Sequence, residues 1–291
     1  MNEFFNFRRW WLLALKRWFD NRGRYLLALL TVAGLMLAWY VVYLAANAGS
    51  YFEEEVQAVF FFTGLFIAGC IYASVLFNEL GSKGKGIAFL TLPASQFEKL
   101  LCGVFYGVVV FTVVYTGIFY AINVPAVKIS NEVRYQEWLE RKALNPEDYK
   151  NEQFNPAKVT NVFKYREYRS DDDDDEFNIY FVVWLVYLAV HAFYALGSVY
   201  FGKFSFVKTS VTALVLGVIA FLYFLFIVKV FPSGGNLDYW IIELKDNGDP
   251  DFIFYYRIPW FIVSADWLLL KFLFPPLFWL IAYVRLKEKQ I

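Results

Sequence analysis

Long apolar runs alternate with polar stretches along this chain, at 25–45, 58–76, 101–122, 179–201, 211–231 and 267–284. A helix that crosses about 30 Å of hydrocarbon takes roughly 20 mostly apolar residues, because an unpaired backbone group there costs several kcal/mol. Each run therefore predicts a crossing helix, and the pattern predicts an all-α membrane protein with six spans. The first five runs carry no charge until the last turn of the fifth, where Lys229 sits. The sixth contains Lys271, and Pro275-Pro276 removes two backbone donors near its middle, so a kinked span is expected.

The polar stretches orient the spans, since Lys and Arg near span ends stay on the cytoplasmic side. Residues 1–24 carry Arg8, Arg9, Lys16, Arg17, Arg22 and Arg24 against Glu3 and Asp20. The next loop has Glu53, Glu54 and Glu55 with no basic residue, and the one after it has Lys83, Lys85 and Lys99. Lys203 and Lys208 follow the fourth run, while Arg285, Lys287 and Lys289 follow the sixth. Both termini are thus expected in the cytoplasm, in a multi-pass protein of a bacterial inner membrane. Ala46-Asn47-Ala48 resembles a leader-cleavage site, but the apolar core before it far exceeds the 7 to 15 or so residues of a leader, so the first run is expected to remain as a span.

The expected organisation is an amphipathic interfacial helix at 1–24, spans one to three at 25–124, a small mixed external insert at 125–178, spans four and five at 179–231, an external or interfacial segment at 232–266, and span six with a cytoplasmic tail at 267–291. Residues 4–19 mix Trp and Phe with four cations, as a helix lying in the headgroup region would; it serves either as an anchor or in gating. In the loop after span two, Gly81, Gly84 and Gly86 interleave with Lys83 and Lys85 to predict a flexible basic turn. The spacing is not that of a phosphate-binding loop. Ser95-x-x-Glu98 matches a capping box, with Pro93 placed for a first helical turn, so a helix starts here and runs on into span three.

Within the insert, Asn131–Leu144 reads as a helix, Asn145-Pro146 as the start of another, and Asn161–Tyr168 as a strand. The acidic run Asp171–Glu176 lacks the spaced ligands and turning Gly of a calcium loop and reads as a solvated charge run. In 232–266, YWIIELK and FIFYYRI flank Asp246-Asn247-Gly248, which suggests either a hairpin or a re-entrant helical pair.

Composition narrows the chemistry. Of 291 residues, 22% are aromatic and 59% hydrophobic, too apolar for a water-soluble domain to hide. Basic and acidic residues balance at 27 each, which gives a nucleic acid no hold. Cys70 and Cys102 lie in or beside apolar runs and read as inert thiols, not a disulfide framework. The single histidine, His191, cannot make a zinc site or a serine-protease dyad of the membrane enzymes, and no nucleotide fingerprint is present. No metal site, cofactor or catalytic residue is assigned to this chain, and it is expected not to be an enzyme. Ionisable groups within spans are functional candidates by default, here His191, Asp266 and Lys271. The ordinary readings are a neutral, hydrogen-bonded His191 and a local Asp266–Lys271 pair. So few buried charges disfavour an ion-coupled carrier.

A basic N-terminal helix, six spans with both ends inside, a charged helical loop after span two and an elaborated segment before span six resemble the permease subunits of ABC-2 type exporters. LGSKGKGIAFLTLPASQFEKLL and WLIAYVRLKEKQ are similar to stretches of bacterial permeases of that class, whereas 125–178 departs from the family's short loop. The resemblance implies a second permease copy or homologue, a separate ABC ATP-binding subunit that carries the ATP and Mg, and a surrounding lipid membrane. It places motor coupling on Gly81, Lys83, Lys85, Pro93, Glu98 and Lys99, with Glu98 and Lys99 as charged handles. The other reading is a non-transporting scaffold or sensor whose external insert binds a partner.

Overall fold

The structure, a computed structural model, describes residues 4–147, 153–164, 179–230, 239–242, 254–257 and 273–289. Helices α1 (Phe7–Ala46), α2 (Glu54–Val75), α3 (Lys83–Leu90), α4 (Gln96–Val104), α5 (Phe111–Leu144), α6 (Ile179–Tyr200), α7 (Ser205–Val230) and α8 (Phe274–Glu288) make up most of it. A 3₁₀ turn, Asn78–Gly81, precedes α3, and a π turn, Phe105–Val110, joins α4 to α5 in one helix. Among the described residues five helices are long and apolar enough to cross a membrane: α1, α2, the joined helix Gln96–Leu144, α6 and α7. The chain is therefore a multi-pass membrane protein by length and composition. The sixth expected span begins outside the described residues, and its described part is α8, with Pro275 and Pro276 in the first turn, where the missing N–H donors cost least.

The helices exceed their apolar runs. Asn6 caps α1 by accepting from the Arg8 and Arg9 amides at 3.0 and 3.3 Å, and α1 then continues unbroken for 40 residues. At 1.5 Å per residue this is about 60 Å, twice the hydrocarbon thickness. The expected interfacial segment is thus the first half of the first spanning helix, not a separate element. Likewise α5 runs through Pro125 to Leu144, so the polar helix expected in the insert is the far end of span three and the insert has no boundary at 125. Asn145 ends this helix, its amide donating to the Arg141 carbonyl; Pro146 and Glu147 form a turn, and the rest of the helix expected from there lies outside the described residues.

Half of the apolar window of α2 is buried, against 11% for α1 and for α7, which makes α2 the central helix. It packs chiefly on α6, which in turn packs on α7 and α8. An aromatic cluster fills the centre: Phe61 meets Phe119 edge to face at 4.9 Å and Tyr115 at 5.4 Å, while the Tyr115 hydroxyl donates to the Phe61 carbonyl at 2.8 Å. In lipid, where burying apolar surface between helices gains little over leaving it in hydrocarbon, such ring packing and buried hydrogen bonds give the bundle its specificity.

At the end of the bundle where α1 finishes and α2 starts, residues 153–164 lie extended across the helices. Buried Gln57 donates to the Lys158 carbonyl at 2.8 Å and accepts from the Thr160 amide at 3.0 Å and from Asn123 at 2.9 Å. Tyr40 donates to Asn123 at 2.9 Å, and Asn131 pairs with both backbone groups of Ala157. The strand expected at 161–168 is a turn at Val162 and Phe163 as far as it is described. Tyr239–Ile242 (β1) and Phe254–Arg257 (β2) pair antiparallel, Tyr239 opposite Arg257, which settles the hairpin over the re-entrant helices for those residues. The acidic run 171–176, Asp266 and Lys271 lie outside the described residues.

Candidate functional site: an ion-paired junction at the basic end of the bundle

The end opposite the strap is built by a carboxylate. Ser95 caps α4 by accepting from the Glu98 amide at 3.1 Å, and Glu98 reaches back to the Ser95 amide at 2.9 Å, completing the capping box. The same carboxylate accepts from Arg9 through Nε at 2.7 Å and Nη2 at 2.8 Å, and from the Asn6 amide at 2.7 Å. One side chain thereby starts α4, holds the cap residue of α1 and forms a two-pronged ion pair with the first turn of α1. Ser95 also donates to the Phe4 carbonyl at 2.7 Å, and Phe4 stacks on Phe97 at 4.8 Å. Glu98 precedes the apolar run of span three. Burial alone would raise its carboxyl, but the hydrogen bonds from Arg9, Asn6 and Ser95 prevail and hold it below the usual carboxylate range.

Lys99 turns the other way. Its ammonium donates at 2.9 Å to the carbonyl of Leu90, the last residue of α3, and lies 5.7 Å from the Phe89 ring centre. A cation at a helix C-terminus is favourable, so Lys99 locks α3 onto α4. Glu98 and Lys99 are 0% and 1% exposed, which corrects the expectation that they are charged handles open to a soluble partner. They are the internal fastening of the junction.

The other predicted residues fall around them. Gly81 lies against the backbone of Gly202 in the α6–α7 turn, so closely that a methyl on either would collide with the other. Lys83 and Lys85 lie within α3, which replaces the expected flexible turn; Lys85 is exposed. Pro93 is exposed in the bend before the Ser95 cap, not in a first helical turn. Several large apolar side chains project from this end, among them Ile87 of α3 at 63% exposure and Phe204 of the α6–α7 turn at 78%. Phe204 holds φ at 55°, a left-handed conformation unfavourable for a residue with a Cβ.

His191 is fully buried in α6, its ring against Gly107 in the π turn, where any Cβ would strike it. Among the described residues neither ring nitrogen has a hydrogen-bond partner of normal geometry, contrary to the expected hydrogen-bonded histidine. Among the described residues no three His, Cys, Asp or Glu side chains group to hold a metal. Sequence reasoning missed Arg9 as the partner of Glu98, and Gln57 and Asn123 as the clasp of the strap. A lone amide at the edge of an apolar run was the available signal for the last two.

No family model, curated protein or solved structure matches this chain.

Proposed function

We propose that this chain is the membrane-spanning permease subunit of an ATP-driven exporter in a bacterial cytoplasmic membrane. In this reading it crosses six times with both ends inside, pairs with a second copy or homologue, and couples to a separate ATP-binding subunit that binds ATP and Mg. The observation that carries the reading is the Glu98 junction. It ties the first turn of α1 to the start of the joined helix Gln96–Leu144, so a push on α3 or α4 is delivered to two spanning helices at once. A link of buried, charge-assisted hydrogen bonds suits a part that must carry force without slipping.

The contact with the motor then falls on α3 and the adjoining α6–α7 turn, where Lys85, Ile87 and Phe204 are exposed. Exposed apolar side chains rimmed by charge suit a protein interface. The test uses Ile87→Arg and Phe204→Arg in the chain purified with its ATP-binding subunit. The reading expects normal membrane insertion with loss of that subunit; retention with unchanged ATP hydrolysis overturns the assignment.

The pinned strap 153–164 favours a second reading, a scaffold or sensor that binds a partner on that side. It predicts a chain that purifies without any ATPase and a partner lost when Gln57 is replaced.

A further inference from the structure

Further along α1, that helix, the end of α2 and α3 line a half-open cavity of about 720 Å³, within the range of small-molecule sites. Its walls carry Lys16, Arg17, Arg24 and Lys85 against Asp20 and Glu79. Asp20 is already engaged by Lys16 at 2.5 Å, one helical turn away. Arg17 lines the cavity and among the described residues is held by neutral groups, donating to the Leu76 carbonyl and the Tyr25 hydroxyl, with its guanidinium 5.9 Å from the Tyr106 ring centre. Arg24 and Lys85 are exposed and form no ion pair among the described residues. The cavity is therefore short of negative charge.

A second space adjoins the cavity. A groove of about 110 Å³ runs between α1 and α5, walled by Leu29, Val32, Val114 and Ile118, and shares Tyr25, Ala28 and Tyr72 with the cavity. A basic chamber and an apolar slot on the outside of the bundle thus share a wall of Tyr25, Ala28 and Tyr72, at the end of an apolar run where headgroups and hydrocarbon meet. A free anion has no use for the slot, and an alkyl chain alone has none for the chamber. The ligand that satisfies both is an amphiphile with an anionic head.

We propose that the cavity and groove together hold one anionic glycerophospholipid, its phosphate among Arg17, Arg24 and Lys85 and one acyl chain along the groove between α1 and α5. Because the cavity is lined by both α1 and α3, the bound lipid bridges two of the elements that the exporter reading assigns to coupling. The site itself rests only on the chain lying in a membrane.

The test is titration of the full chain, purified in uncharged detergent, with phosphatidylglycerol or phosphatidylcholine, followed by native mass spectrometry. Arg17 also fastens α1 to α2, so the variants are Arg24→Gln with Lys85→Gln, both at exposed positions, and Ala28→Trp, whose indole intrudes where chamber and groove share a wall. Phosphatidylglycerol is expected to occupy one saturable site, and phosphatidylcholine to bind about tenfold more weakly or worse. Loss of two cations should weaken phosphatidylglycerol on the order of 20-fold at low salt and leave phosphatidylcholine unchanged. Ala28→Trp should weaken phosphatidylglycerol with every charge in place. Equal binding of the two lipids, or undiminished phosphatidylglycerol binding by either variant, overturns the proposal. Displacement of phosphatidylglycerol by inorganic phosphate together with full binding to Ala28→Trp identifies an anion site without an acyl chain and overturns it as well.

Discussion

Replacing Glu98 by Ala removes the acceptor of four hydrogen bonds, two from Arg9 and one each from the Asn6 and Ser95 amides. The Arg9 guanidinium, whose side chain is 37% exposed, can still reach water, whereas the Asn6 and Ser95 amides lose their partner at a half-buried site. The loss of charge-assisted bonds and of one capping box sums to about 2 to 3 kcal/mol of local stability at Glu98. The bundle core does not depend on this contact, so the effect should appear as opening of the junction. Hydrogen exchange of residues 4–15 in detergent measures it: an opening easier by 2 to 3 kcal/mol accelerates exchange by about 30- to 150-fold. Glu98→Gln keeps one acceptor oxygen and should fall between. Acceleration below about threefold in Glu98→Ala would refute the claim that this carboxylate holds α1 to α4.

The junction should also respond to acid with a defined sign. Glu98 binds its proton less tightly when folded than when unfolded, so its contribution is full above the usual carboxylate range and is lost progressively as pH falls from that range through the lower folded value; protection of residues 4–15, corrected for the intrinsic pH dependence of exchange, should be constant above that range and decline across the interval. Gly81→Ala drives a methyl into the Gly202 backbone and should cost about 1 to 3 kcal/mol, read as a lower thermal midpoint in detergent. Gly84→Ala, whose methyl meets nothing, should be neutral or stabilising by up to about 1 kcal/mol, and an equal loss at both positions would contradict the packing described. Gln57→Ala leaves the Thr160 amide and the Lys158 carbonyl unpartnered at a buried site, about 1 to 3 kcal/mol each, and should expose residues 153–164 to protease at sites closed in the native chain.

What could be read from the sequence was what depends on neighbours. Apolar runs of spanning length gave the five long helices, and Ser95-x-x-Glu98 gave the helix start, because both are local patterns. The lengths of α1 and α5 were not legible: helix continues through Asp20 and through Pro125 wherever hydrogen bonding along the axis outweighs a polar or imperfect position, and composition changes there while backbone does not. The partner of Glu98 lies 89 residues away, so the pattern that marked it as a cap was silent on the ion pair that buries it. Gln57 and Asn123 gave almost no signal for the same reason, since their partners come from a strap without regular structure more than 100 residues from Gln57 or on another helix.

The exporter reading stands or falls on a second polypeptide. The tagged chain should be purified from native membranes in mild detergent and assayed for bound subunits and ATP hydrolysis. The account predicts an ATP-binding subunit in equal amount with the permease and measurable turnover. A chain that emerges alone and without ATPase activity, while still properly inserted, would contradict it.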